Sequence, residues 1–302
     1  MHRLVKRPVE RAMSSPAVGR VTRRRVRGKR LILAYHGIIP EGREPAGERA
    51  LFIRQRDFAM HLDMLAGEAD VVPLDRIDDR GDGRPRVAIT IDDAYRGAVN
   101  VGVPELAARS LPATIFVAPA RLNNHVFWWD ALSHGNAQLD EKLRSHALHE
   151  LGGEDERVRA WAAQAGIPAC DELPAYAQTV TRAELVAALR FPGITLGSHT
   201  WSHPNLASLG IADVVTEVCR SREWLRAEFG EKAIDWLAYP YGLESVQAQV
   251  AVADACYKGA LRVVGGWHCA AKVSPFARPR LSIGAGLSVA GLRARLQGAV
   301  LS

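Results

Sequence analysis

The chain has 302 residues, of which 48% are hydrophobic, 24% are charged and 7% are aromatic. This composition is typical of a globular chain with one large or two modest domains, and it argues against a disordered or fibrous protein. The net charge of +6 comes from residues 1–30, which hold eleven of the 39 Lys and Arg residues and a single acid. The other 28 bases and 32 acids give residues 31–302 a net charge of −4, so the composition gives no support for nucleic-acid binding by the folded part.

Residues 1–30 form a basic segment with no apolar periodicity and with a dense Arg cluster at 23–30. Such a segment is most often a solvated, flexible arm, and attraction to anionic lipid headgroups is the alternative. No apolar run reaches the length of about 18 to 20 residues that a membrane span needs. The run 31–35 is also too short for the core of a signal peptide. We therefore expect a cytoplasmic protein, with at most weak peripheral contact at the inner membrane face.

Six short apolar runs follow along the chain, and such unbroken runs are typical of strands that are covered on both faces. They predict strands at 31–35, 86–91, 113–117, 194–198, 236–240 and 259–264. Segments with helical spacing alternate with them, at 55–66, 97–110, 181–189, 211–229 and 245–256. The alternation predicts parallel β/α units in an open sheet or a barrel, in a single domain over 31–302. No Gly-x-Gly-x-x-Gly follows the first strand, which argues against a dinucleotide-binding fold.

The stretch at about 121–180 interrupts this alternation, and we interpret it as an insertion of loops and helices. The four cysteines form no Cys-x-x-Cys pair, so a zinc knuckle or a thioredoxin-type site is not expected. They are interpreted as small, reduced core residues, which fits a cytoplasmic protein. The cysteines are Cys170, Cys219, Cys256 and Cys269.

Polar motifs follow four of the predicted strands at their carboxyl ends, where an α/β fold gathers its functional side chains. The motifs are Tyr35-His36-Gly37, Asp92-Asp93-Ala94-Tyr95, Ser198-His199-Thr200-Trp201-Ser202-His203-Pro204 and Tyr239-Pro240-Tyr241-Gly242.

The adjacent aspartates Asp92 and Asp93 would repel each other if both were buried, so a positive group is expected beside them. A helix N-cap is the alternative for such a pair. His199 and His203 lie four residues apart after another strand. Two imidazoles and one carboxylate are the three-ligand set that leaves a zinc-like ion with an open position for water. The residues therefore favour a metal site over an N-cap.

These motifs resemble those of the polysaccharide deacetylases with a NodB homology domain, carbohydrate esterase family four. Thr90-Ile91-Asp92-Asp93-Ala94-Tyr95 is similar to the family's T-F-D-D-G motif, the histidine motif to its H-[ST]-x-x-H-P, and Tyr239–Gly242 to its third motif. The resemblance extends over roughly residues 31–285. It implies a distorted (β/α)7 barrel and a hydrolase that removes N-acetyl groups from an N-acetylated glycan. It also implies one divalent metal ion, commonly Zn²⁺, with Co²⁺, Ni²⁺ or Mn²⁺ as alternatives.

Carried over motif by motif, the resemblance implies that Asp93, His199 and His203 bind the metal. Asp92 would be the base that activates the water. Tyr241 would offer its backbone N–H to the developing oxyanion, a position in which a rigid donor is effective.

The chain departs from the family at Ile91 and Ala94, which replace the usual Phe and Gly beside the site, and at two points that concern the catalytic residues. Ala238 stands where many members have the arginine that pairs with the base, and no Leu-x-His motif, which often supplies the acid, is found near the C-terminus. The Tyr35-His36 element resembles the exopolysaccharide branch, which implies His36 as general acid, and Arg280 resembles that branch's Pro-Arg element, which would hold Asp92. A strand-capping His36 and a surface Arg280 are the structural alternatives, and His268 is a rival acid.

Aromatic residues near the motifs are candidates for contact with a sugar ring. Adjacent tryptophans point in different directions, so one of Trp128 and Trp129 is expected in the core and the other, Trp129, against the glycan. Trp201 in the histidine motif and Tyr95 after the aspartates are further candidates.

Two other functions fit the same residues. A catalytically silent carbohydrate-binding relative would explain the missing arginine at 238, and an amide or imide hydrolase of the same superfamily would use the same metal chemistry. A pure binding module has no need of the full set of two aspartates and two histidines, so this set favours the deacetylase.

Overall fold

The computed structural model describes residues 12–14, 18–19, 22, 24, 26–81, 83–133 and 138–299. Within these ranges, nine strands form one sheet and two short strands pair with each other, and every paired strand runs parallel to its neighbour. The strands are β1 (Arg30–Tyr35), β2 (Gly37–Ile39), β3 (Phe52–Arg54), β4 (Asp70–Val71), β5 (Arg86–Ile91), β6 (Ala113–Val117), β7 (Ile194–Ser198), β8 (Ala233–Ala238), β9 (Gly259–Arg262), β10 (Arg278–Pro279) and β11 (Leu281–Ser282).

The sheet is nearly closed into a barrel by one segment near the C-terminus, residues 278–282. Its first half, β10, pairs with β9, and its second half, β11, pairs with β1. Arg280 lies between the two halves and donates its backbone N–H to Arg262 O at 3.1 Å. If this segment is counted as one strand, the order of the barrel strands among the described residues is β1, β5, β6, β7, β8, β9 and the closing segment, which returns to β1. The predicted α/β barrel is thereby confirmed.

The helices alternate with the strands, as the sequence predicts. Among the described residues those with assigned bounds are α1 (Gln55–Glu68), α2 (Val103–Ala107), α3 (Trp128–Ala131), α4 (Glu141–His149), α5 (Asp155–Gln164), α6 (Arg182–Ala188), α7 (Ile211–Phe229), α8 (Val246–Asp254) and α9 (Val289–Leu296). The bounds of α7 are those that the spacing predicts, because its buried residues Val214, Val218 and Leu225 recur at helical intervals.

The helix predicted at 97–110 is divided, and the strand predicted at 236–240 begins earlier, at Ala233. A π-helical turn, Ala98–Gly102, precedes α2. Pro104 at the start of α2 has no N–H to donate to the preceding turn, which disfavours a continuous α-helix there. The sequence also did not predict α9 or the short strands β2 and β3.

The barrel core is built from strands that are apolar on both faces. All six residues of β5 are buried, and so are five of the six residues of β1. The stretch at about 121–180 contributes α3, α4 and α5, which lie between β6 and α6 in the chain. Helices therefore cover the outer face, while the carboxyl ends of the strands open into loops.

The interpretation of the cysteines as core residues is wrong. Cys170 and Cys256 are exposed, Cys219 and Cys269 are partly exposed, and all four are free. Cys256 follows α8 with φ 61°, at a helix end where the chain turns towards solvent.

The predicted basic arm lies largely outside the described residues. In its described part, Val26 is buried, and the first strand already begins at Arg30. None of the helices in the described ranges combines the length and the apolar character that a membrane span requires.

Candidate active site

A cavity of about 120 Å³ lies at the carboxyl ends of the barrel strands and collects the predicted polar residues. His36 follows β1, Asp92 and Asp93 follow β5, and His199 follows β7. Because parallel strands end at the same edge, residues far apart in the chain meet here. The lining is formed by His36, Leu51, Asp92, Asp93, Trp128, Trp129, Arg144, Leu148, His199, His203, Tyr241, Gly242, Val263 and Ser282.

Three buried ligand atoms converge in this cavity. Asp93 Oδ1 lies 3.4 Å from His199 Nε2 and 3.2 Å from His203 Nε2, and the two Nε2 atoms are 3.2 Å apart. Ligand atoms of a tetrahedral ion with bonds of about 2.0 to 2.1 Å lie about 3.3 Å apart. Asp93 Oδ1 is buried and accepts no hydrogen bond of acceptable geometry among the described residues. These three atoms therefore fit a divalent metal ion.

The surroundings prepare the two imidazoles for this role. His199 Nδ1 lies 2.7 Å from Ala238 O, so Nδ1 carries the proton and donates it, which leaves the Nε2 lone pair free for a metal. Burial lowers the pKa of His203 to about 4, which keeps that ring neutral. Burial would raise the pKa of Asp93, but the two imidazoles beside it lower that pKa overall. A neutral imidazole and an ionised carboxylate are the ligand forms that bind a metal.

The backbone of the site is strained at the residues that carry these groups. Asp93, Thr200, His203 and Tyr241 have φ values of 66°, 64°, 66° and 59°. Non-glycine residues rarely adopt this left-handed conformation, and such strain concentrates at functional sites. It turns the ligand side chains back across the strand ends.

Asp92 is held by a buried arginine. Arg280 donates two hydrogen bonds to the Asp92 carboxylate, each at 2.7 Å, and a third to Thr90 Oγ1 at 3.1 Å. Both side chains are buried. Burial would raise the pKa of Asp92, but the Arg280 charge lowers it overall, so the carboxylate is ionised. This is the contact that the resemblance implied for Arg280, and it excludes a surface position for that residue.

His36 lies beside Asp92, whereas His268 does not reach the cavity. His36 Nε2 is 3.7 Å from Asp92 Oδ2, and burial lowers the pKa of His36. His268 bridges to Arg30, the first residue of β1, and its Nδ1 lies 3.4 Å from Gly266 O. It therefore lies at the amino end of the barrel, opposite the cavity, because β1 runs its full length between the two histidines.

Tyr241 lines the cavity. Its hydroxyl donates to Gly153 O at 2.7 Å and accepts from Trp128 Nε1 at 3.0 Å. Its backbone N–H makes no hydrogen bond to any described residue. The side chain is thus fixed by the inserted stretch, and the N–H remains available to a ligand.

Trp128 and Trp129 both line the cavity and both are buried, so the structure does not divide them into a core residue and a site residue. Trp129 stacks on Phe127, with ring centroids 4.3 Å apart and an angle of 10°, and lies 5.0 Å from the His203 ring. Its Nε1 donates to the Tyr95 hydroxyl at 2.9 Å.

The structure does not bring Tyr95 and Trp201 to the cavity. Tyr95 is completely buried behind Trp129 and donates to Asp130 Oδ2 at 2.5 Å, so it supports the wall and does not face a sugar. Burial raises the pKa of Asp130 to about 8. Trp201 lies under the Arg220 guanidinium, 3.8 Å from the ring centroid, on the outer side of the histidine loop.

Two contributors were missed by the sequence analysis. The helix α4 of the inserted stretch supplies Arg144 and Leu148 to the lining. Glu217 on α7 accepts the backbone N–H groups of Trp201 and Ser202, each at 2.8 Å, and the Ser202 hydroxyl at 2.7 Å. A charged residue on a helix carries no sequence signal of either role, because the partner loop lies far away in the chain.

Comparisons with known proteins agree with this geometry. The family model named polysaccharide deacetylase matches residues 79–260, more than half of the chain. The solved structure of the Streptococcus pyogenes deacetylase PplD in complex with acetate is 18% identical, with a TM-score of 0.61, over 87% of this chain and 96% of that chain. The structure of IcaB from Ammonifex degensii is 14% identical, with a TM-score of 0.60, and the match covers 89% of this chain and 97% of that chain. The BpsB deacetylase domain from Bordetella bronchiseptica is 16% identical, with a TM-score of 0.54, and the match covers 85% of this chain and 97% of that chain. No curated protein sequence gives a significant match.

Proposed function

Because the chain belongs to the polysaccharide deacetylase family, we propose that it is a metal-dependent hydrolase that removes N-acetyl groups from an N-acetylated sugar or polysaccharide. The observation that carries the proposal is the convergence of Asp93, His199 and His203 on one point beside an ionised Asp92. A carbohydrate-binding relative without activity would have no use for a buried carboxylate held by its own arginine.

The metal would be held by Asp93, His199 and His203, and Zn²⁺ fits this donor set of two nitrogens and one oxygen best, with Co²⁺, Ni²⁺ or Mn²⁺ as alternatives. Bound there, a divalent ion supplies Lewis acidity, which lowers the pKa of a water molecule and polarises a carbonyl oxygen. Three protein ligands would leave one position of a four-coordinate ion open for water, as in catalytic sites.

Asp92 is the general base of the proposed reaction. Arg280 keeps it ionised and fixes its orientation, so its carboxylate can accept a proton from the water that attacks the acetamide carbonyl carbon. His36 Nε2 lies 3.7 Å from Asp92 Oδ2. The proton accepted by Asp92 can therefore pass through His36 to the leaving nitrogen when the C–N bond breaks. A neutral His36, which its lowered pKa favours, serves this relay.

The remaining cavity residues position the substrate. The free backbone N–H of Tyr241 is the donor for the carbonyl oxygen as negative charge develops on it. Trp128 and Trp129 form an apolar wall that fits the acetyl methyl group and the face of a sugar ring. The products are acetate and a free amine.

The test is acetate release from N-acetylglucosamine oligomers, with and without a chelator. His199→Ala is expected to lose bound metal and activity together. Asp92→Asn is expected to keep the metal and to lose about 10² to 10⁴ in rate, the usual size of a general-base effect. His149→Ala, an exposed histidine outside the cavity, is the matched control and should behave as the unaltered protein.

Ordinary turnover in the Asp92→Asn protein would remove Asp92 as the base. If the metal-loaded protein binds the oligomers but releases no acetate with any metal, the protein is a carbohydrate-binding relative without catalytic activity. Release of another acyl group or opening of a cyclic imide would favour the amide hydrolase.

A further inference from the structure

A second cavity, of about 720 Å³, lies at the amino ends of β1 and β5, opposite the candidate active site. We call it the basic groove. It is lined by Arg24, by the segment 26–30, by Arg80 and Gly81, by the segment 83–86, and by Gly67 and Glu68 at the end of α1. Seven of the lining residues are cationic, namely Arg24, Arg27, Lys29, Arg30, Arg80, Arg84 and Arg86.

Two of these cations hold the groove together. Arg86 pairs with Asp70 at 2.8 Å and donates to the carbonyl oxygens of Arg76 and Ile77 at 2.8 and 3.1 Å. Arg30 Nη2 lies 3.4 and 3.3 Å from the carbonyl oxygens of Asp78 and Asp79. They fix the loop between β4 and β5 against the start of β1.

Four other cations of the lining do not fix a loop in this way in the part of the chain that the structure describes. Arg24, Arg27, Lys29 and Arg80 form no ion pair with any residue that the structure describes, and the three arginines are exposed. Glu68 is the one acid among the described residues of the lining, and it pairs with Arg293 at 2.7 Å. In the sequence one further acid, Asp82, stands in the 80–86 segment and lies outside the described residues. Within the part of the chain that the structure describes, the groove therefore carries four positive charges without an ion-pair partner.

We propose that the basic groove docks the protein on a membrane surface that carries anionic phospholipids. Clusters of four to eight Lys and Arg residues are the usual means of such binding. In the sequence, Arg20, Arg23 and Arg25 add further positive charge to the same segment, and they lie outside the described residues.

The charge distribution favours a flat surface over a nucleic acid. Residues 31–302 have a net charge of −4, so a long polyanion that extended beyond the groove would meet a body of its own sign, whereas a membrane meets only this end. No aromatic side chain lines the groove among the described residues, and proteins that bind single strands stack bases on such side chains.

The docking also sets the orientation of the active site. The strands of the barrel run away from the groove, and a strand of six residues such as β1 spans about 20 Å. The cavity with Asp93 therefore faces away from the membrane and stays open when the groove is occupied.

The experiment is co-sedimentation of the full chain with vesicles of phosphatidylcholine alone and of phosphatidylcholine mixed with phosphatidylglycerol. We expect binding to the mixed vesicles only, and its loss at high salt, because screening weakens attraction between exposed charges. The variant R27E/K29E/R80E should bind more weakly by at least about tenfold. R43E/R56E/R190E makes the same change of charge on exposed arginines outside the groove and should bind as the unaltered protein.

Equal binding of the unaltered protein and the groove variant, or equal losses in both triple variants, would overturn the proposal. So would a single-stranded RNA oligomer that binds the unaltered protein more tightly than the mixed vesicles do. Circular dichroism and thermal unfolding show that the variants are folded. These readouts do not use acetate release, so they succeed or fail independently of the proposed deacetylase activity.

Discussion

Arg280 and Asp92 form a completely buried ion pair between residues 188 positions apart in the chain. Removing two charges from water is costly, and close, bidentate hydrogen bonding is what offsets that cost. Arg280 also supports Thr90 Oγ1, which donates to Leu33 O at 2.6 Å. The pair thus connects β5, β1 and the closing segment of the barrel directly beneath the candidate active site.

We expect Arg280→Met to lower the free energy of unfolding by about 3 to 5 kcal/mol, because it leaves a buried carboxylate without its partner. Urea denaturation in the presence of a chelator measures this without a contribution from metal. Arg76→Met is the control. Arg76 and Asp79 form an exposed pair at 3.0 Å, so that change should cost less than about 1 kcal/mol.

The same substitution in an Asp92→Asn background should cost less, because no buried charge is then left unpaired. Equal losses in the two backgrounds would show that Arg280 stabilises the fold independently of Asp92.

The helix α7 stabilises the loop that carries the two histidines. Its apolar face, with Val214, Val218 and Leu225, is buried. Glu217 on the same helix accepts two backbone N–H groups of the loop between His199 and His203. Thr200 and His203 in this loop have backbone in the left-handed conformation. A carboxylate that accepts hydrogen bonds from several N–H groups holds such a loop in place. The position of α7 thereby determines the position of the ligands.

Glu217→Ala is expected to weaken metal affinity on the order of tenfold, the lower end of what outer-shell substitutions cost. Competition for Zn²⁺ with a chromophoric chelator measures the affinity. Glu223 lies on the same helix at an exposed position. Glu223→Ala is therefore the control and should leave the metal affinity unchanged. A Glu217→Ala protein that binds Zn²⁺ normally would assign Glu217 to fold stability alone.

The whole barrel is required to bring the three candidate metal ligands together. Asp93 comes from the end of β5, and the two histidines come from the end of β7, with β6 between them in the sheet. An unfolded chain has no such arrangement, so a metal that binds these atoms binds the native state preferentially. Binding is then coupled to the stability of the molecule as a whole.

We therefore expect Zn²⁺ at 100 times its Kd to raise the free energy of unfolding by about 2.7 kcal/mol. Urea denaturation of the metal-loaded and the chelator-treated protein gives the difference. The His199→Ala protein should show no such gain, and an equal gain in it would locate the stabilising ion elsewhere.

The sequence by itself determined the alternation of the long strands and helices and indicated the candidate ligand set. Apolar runs such as 86–91 and the helical spacing of 211–229 are local patterns, and β5 and α7 have these bounds. The residues that follow the strands are equally local, so the sequence predicts one shared site for four residues, namely Asp92, Asp93, His199 and His203.

Only the tertiary structure decided which other side chains reach that site. Trp201 and Tyr95 stand in the motifs yet lie outside the cavity, whereas Arg144 enters it from an inserted helix. His36 lies at the cavity and His268 at the opposite end of the barrel, although both are histidines near strands. The physical reason is that these contacts depend on how segments remote in the chain pack against each other, and periodicity within a segment carries no information about that packing.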